Sequence, residues 1–305
     1  MRAFLVLLGI CLWPCFGAQA ADGLLWNWDA PRRYLVVSDV TSPEFIWFLA
    51  EFNSEARVSQ WRTNFVMNCA GEPIGKKAYE VQCKIEDISI QAKAVSEVDA
   101  RKLNDVLNDM DTKLTGAVLQ MEMTTDGRIR SVDLEGIEKR NRRTRDMVET
   151  MRRILSRGVA LLDLQLPKKG DDGGSGQWEQ KNSLVVGFPY GLGTIGSVRL
   201  KHEIAEDASA TKLVMSGKGI AGAGVTVQVA GQEQIANLYE MIVGGEAFFD
   251  TKTGGLVSRQ YQSQGQATAS SIQADGWNGV KYMQAARLSL IGEADQPKLG
   301  ETGGM

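Results

Sequence analysis

The 305-residue chain carries 34 basic and 37 acidic residues, giving a formal charge of −3 with its single histidine neutral, and 43% of its residues are hydrophobic. So mild a charge argues against nucleic acid as a partner, and the apolar fraction is that of a globular protein with a real core. The length allows one large β-rich domain or two smaller ones.

Residues 1–20, MRAFLVLLGICLWPCFGAQA, read as a signal peptide. Arg2 supplies the positive charge, Phe4 to Trp13 the apolar core, and Ala18-Gln19-Ala20 a small-x-small cleavage site. The apolar run is well short of the about 20 residues that span a bilayer, so cleavage before Ala21 is expected rather than anchoring. Losing Arg2 moves the formal charge from −3 to −4. Cys11 and Cys15 follow Ile10 and Pro14 rather than the small residue that precedes a lipidated cysteine. The protein is therefore expected to be exported, into the periplasm or the medium.

From there the texture is period-two alternation broken by Gly, Asp-Gly and Asn. It predicts strands over 33–40, 57–70, 78–94, 117–124, 129–135, 177–187, 197–206, 211–217, 224–230, 245–250, 256–274 and 280–291. Between the first two, TSPEFIWFLAEFN (41–53) reads either as a helix opened by Ser42-Pro43-Glu44 or as a strand burying Phe45, Trp47 and Leu49. Next, Trp61, Phe65, Met67 and Cys69 share one parity, as do Tyr79, Val81, Cys83 and Ile85. Both cysteines thus face inward on neighbouring strands. In an exported chain that favours a Cys69–Cys83 disulfide, with two buried thiols as the alternative.

Two segments have helical period. SEVDARKLNDVLNDM has Ser96 and Asp99 at capping-box spacing and one apolar face, predicting a helix over 97–112. A second helix is expected over 137–157, ended by Gly158, with Met147, Met151, Ile154 and Leu155 as its stripe. Residues 138–157 hold eight cations against three acids, a local charge of +5. Arginine forks suit phosphate, so Arg140, Arg142, Arg143 and Arg145 are candidates for binding an anionic lipid or membrane surface; the alternative is a solvated face packed against the protein's own acids.

Asp126-Gly127 and Gly254-Gly255 mark two hairpins 127 residues apart, suggesting that the halves 21–136 and 158–292 are related. Between them, LQLPKKGDDGGSGQW has a Leu-Pro, a polar stretch, then Gly-x-x-Trp before new strands. It resembles a recurring segment of uncharacterised exported bacterial β-rich proteins, some with the half-barrel form of periplasmic lipoprotein carriers. That resemblance implies a curled sheet and carries over no functional residue. The tail from 293 to 305 has little to bury and is expected to be disordered.

Gly191, Gly193 and Gly196, and again Gly217, Gly219 and Gly222, have the spacing of a dinucleotide turn. That turn works only by opening a helix toward a pyrophosphate, and alternating SVRLKHEIA and AGVTVQVAG follow instead. The lone His202 lacks a Gly-x-Ser-x-Gly partner and cannot build a zinc site. No catalytic, cofactor or metal residue is therefore expected. Six tryptophans of the mature chain, Trp26, Trp28, Trp47, Trp61, Trp178 and Trp277, either line an apolar cavity or fill a core.

The reading is an α+β protein, mainly antiparallel β, in two curled sheet units joined by a long basic helix. Its expected function is noncatalytic binding of an apolar or lipid-like ligand in the cell envelope. The alternative is a structural or assembly component that binds other envelope proteins.

Overall fold

The computed structural model of the chain describes residues 24–49, 54–137, 142–167, 177–182, 195–205, 211–222, 224–229, 232–268, 280–297 and 299. The signal-like segment, Arg140, Gly191, Gly193 and Trp277 lie outside these residues.

Among the described residues, twelve strands form one antiparallel sheet that does not close. They are β1 (Arg32–Leu49), β2 (Ser54–Pro73), β3 (Ala78–Ala94), β4 (Val118–Thr124), β5 (Ile129–Glu135), β6 (Gln177–Asn182), β7 (Ile195–Ala205), β8 (Thr211–Gly222), β9 (Gly224–Val229), β10 (Gln232–Asp250), β11 (Gly255–Thr268) and β12 (Val280–Leu290). The order is β5-β4-β3-β2-β1-β12-β11-β10-β8-β7-β6, with β9 paired to β10 off this path. β1 pairs β12 from Tyr34↔Leu290 to Thr41↔Met283, so the expected two units are a single sheet. The ambiguous segment after Thr41 resolves as strand as far as Leu49, its alternation outweighing the helix-start signal at Ser42-Pro43.

Helix α1 (Glu97–Leu114) starts where expected: Ser96 is its N-cap, and its hydroxyl accepts from Asp99 N at 3.2 Å. It buries Leu103, Val106, Leu107, Met110 and Leu114, and lies on β2 and β3. Helix α2 (Arg142–Leu162) ends five residues later than predicted, and residues 138–141 before it lie outside the described residues. Gly158 does not end it. A Cβ there would stand 2.7 Å from Phe65 Cζ, so the glycine lets the helix approach the sheet rather than stop. The stripe of Met147, Met151, Ile154 and Leu155 is buried on that side.

The helix-facing side is filled with side chains. Trp26, Trp28, Tyr34, Trp61, Phe65 and Phe249 are among the largest fully buried residues, Trp26 stacking on Trp28 at 5.7 Å and meeting Phe249 edge-on at 5.4 Å. Segment 24–28 clasps both hairpins: Trp26 N donates to Thr125 O at 2.9 Å and Asn27 N to Gly254 O at 2.8 Å. Gly127 (φ 89°) and Gly254 (φ 65°) turn beneath it in left-handed conformations. A Cβ on Gly127 would lie 2.0 Å from Leu164 O, so this turn needs glycine twice over.

Candidate ligand site

Period two fixes which side chains leave the sheet on the face away from the helices. On β1 the inward set is Tyr34, Val36, Ser38 and Val40, which turns Asp39 and Thr41 outward. The same parity turns Gln60 and Arg62 of β2, Met283 and Ala285 of β12, Gln262 and Gln264 of β11, and Ile242 and Gly244 of β10 outward. Strand register aligns them in two rows across five adjacent strands. One row is Arg62, Asp39, Ala285, Gln262 and Gly244; the other is Gln60, Thr41, Met283, Gln264 and Ile242.

These ten residues, with Ser263 and Gln284, line a half-open groove of about 580 Å³. The first row is hollow because Gln262 stands between Ala285 and Gly244, two residues with almost no side chain. A Cβ on Gly244 would meet nothing within 4 Å. Met283 and Ile242 hold apolar surface up to solvent, at 60% and 48% exposure. Arg62 and Asp39, paired at 2.7 Å, are the lining residues that carry charge.

The chain after β12 runs along this outer face. Ile291 N donates to Arg33 O at 2.9 Å, and the Arg33 guanidinium donates to Gly292 O at 3.0 Å and Asp295 O at 2.5 Å. Asn64, beside Arg62 in the outward set of β2, donates to Leu299 O at 2.7 Å. Of the tail, residues 293–297 and Leu299 are described: Arg33 and Asn64 satisfy carbonyls of Asp295 and Leu299, and Leu299 is buried.

The inner face holds a different polar cluster. Arg259 of β11, fully buried, donates to Ala160 O at 3.2 Å and Leu161 O at 3.0 Å at the C-terminal end of α2. Burial lowers its pKa to about 10, against the opposing pull of Asp163. Burial likewise raises Asp163, although Arg259 draws it back and Ile129 N donates to it at 3.3 Å. Gln180 closes the cluster by accepting from Gln165 N and donating to Asp163 O. The Arg259 contacts to Ala160 O and Leu161 O and the Ile129 contact to Asp163 hold the helix end to the sheet.

The predicted site residues are dispersed. Cys69 and Cys83 face each other in register on β2 and β3 and form a disulfide, with Cα atoms 3.9 Å apart. Arg142, Arg143 and Arg145 lie in the first turn of α2, where Arg145 is exposed. His202 is buried on β7 and stacks on Trp178 at 5.0 Å. Gly196 is the second residue of β7, and Gly217, Gly219 and Gly222 belong to β8, with Gly222 its last residue. Among the described residues, no group of three His, Cys, Asp or Glu could hold a metal ion, and no helix is long and apolar enough to cross a membrane. The groove residues were missed, although RQYQSQGQ, with Gln260, Gln262, Gln264 and Gln266 alternating, signals an unusual outward amide ladder.

No family model matches the chain, and no curated protein does. Among solved structures it is similar to lipovitellin, in the structure called "Lipid-protein interactions in lipovitellin", with a TM-score of 0.46 and 11% identity over 86% of this chain and 25% of that one. The chain therefore spans a quarter of the length of that protein.

Proposed function

We propose that the protein is a noncatalytic, exported envelope protein that binds a single-chain amphiphile in the outer-face groove. One observation carries the reading: a half-open hollow of about 580 Å³, of ligand-site size, with exposed Met283 and Ile242 beside the amides of Gln60, Gln262 and Gln264. Apolar surface beside uncharged hydrogen-bonding groups suits a molecule that is itself half apolar. Export rests on the signal-like first 20 residues and on the Cys69–Cys83 disulfide.

The test is to fill the hollow. Gly244→Leu places a side chain in open space on an outward strand position, so the fold should survive. Binding of a fluorescent lysophosphatidylcholine should weaken by about tenfold or more, equivalent to about 1.4 kcal/mol, with the melting temperature unchanged. Equal binding by Gly244→Leu and the parent chain would remove the groove as the site. Native mass spectrometry that finds a protein partner and no lipid would favour the assembly role instead.

A further inference from the structure

The groove has a chemical polarity along its length. At one corner stand Asp39 and Arg62, cross-strand partners paired at 2.7 Å and only 14% and 18% exposed. Beyond that corner the floor is closed: Val37, next outward residue along β1, is 4% exposed, and its cross-strand partner Asn64 holds Leu299 O. Away from it, in the other row, stand the exposed Met283 and Ile242. A molecule lying in the groove therefore meets a closed, ionic end and an open, apolar end.

The lining itself contributes no net charge at this end, because its one anion and one cation cancel; Arg287, the other cross-strand partner of Val37, stands outward in the next row, beyond the lining. A net anion drawn to Arg62 also meets Asp39, and a net cation drawn to Asp39 also meets Arg62. Either leaves one half-buried protein charge with an unfavourable neighbour, which works against that ligand class. A head group with its own positive and negative ends satisfies both.

We propose that the groove selects zwitterionic amphiphiles, with the anionic part of the head on Arg62, the cationic part on Asp39, and the alkyl chain over Met283 and Ile242. This inference rests on the amphiphile reading and adds the head-group class to it. The full chain is titrated, below micelle-forming concentrations, with four probes sharing a decyl chain: a phosphocholine, a phosphate, a trimethylammonium and a maltoside. The expected order places the phosphocholine about tenfold or more ahead of both charged probes. Asp39→Asn should raise phosphate binding, and Arg62→Gln should raise trimethylammonium binding, each by about tenfold, the equivalent of one modest charge contact. Both positions are partly exposed, and circular dichroism checks that each variant keeps its sheet. Binding of all four probes without regard to charge, or the same order in the parent and both variants, would overturn the head-group assignment and leave the amphiphile site standing. Binding of none would overturn both.

Discussion

Asp111 carries the residue-scale stability argument. Its side chain, half-buried on α1, accepts from Ile90 N at 3.1 Å. Burial pushes its pKa up to about 6, the Ile90 bond opposes that, and the neighbouring Asp87 adds to it. An acid raised in the fold is favoured there as its neutral form. The carboxyl costs nothing below about pH 4, and stability falls as pH rises from about 4 to about 6, because the unfolded chain releases this proton while the folded chain still holds it. Asp111→Asn keeps an acceptor for Ile90 and removes the charge. It should stabilise by about 1 kcal/mol at pH 7.5, after discounting for half exposure, and raise the melting temperature by about 2–4 °C. At pH 4 the two chains should melt together. A gain of the same size at both pH values would mean that charge is not the cause.

At the scale of elements, α2 shows how a sequence rule yields to packing. The helix has no acid in its first turn and no base in its last, the reverse of what its dipole favours. The base comes from β11: Arg259 reaches the carbonyls of Ala160 and Leu161, a contact 98 residues away in sequence and invisible to local pattern. The shifted boundary has the same origin, since Gly158 reads as a stop until Phe65 is known to lie against it. Local signals did locate what depends on neighbours in sequence: β3, β5, the Ser96 cap and the glycine turns at 127 and 254. Removing the arginine should be severe. Arg259→Ala leaves Asp163 buried beside an unanswered helix end and is expected to cost about 3–5 kcal/mol in urea unfolding. Adding Asp163→Asn removes the stranded carboxylate, so the double variant should lose clearly less than the two single losses summed. Simple additivity would mean that the two groups are independent.

For the whole molecule, sequence alternation disclosed the strands and the inward cysteines, but not which strand lies beside which. The groove was illegible for that reason. Its floor combines residues from five strands, and only the register makes Gly244, Gln262, Ala285, Asp39 and Arg62 one row. The same pairing joins the two expected units, because β1 and β12 bond across eight matched positions. A sheet continuous across that seam should transmit a loss of stability from one side to the other. Replacing Cys69 and Cys83 by alanine removes a link closing 14 residues between β2 and β3, worth about 3 kcal/mol in the chain-entropy account. If the seam is cooperative, hydrogen exchange of β10 and β11 amides through global unfolding should accelerate by the same free energy as that of β2 and β3, although no substituted residue touches those strands. Protection retained in β10 and β11 while β2 and β3 lose theirs would mean that two cooperative units meet at β1 and β12. The pairing there would then be a docking surface between halves rather than the middle of one sheet.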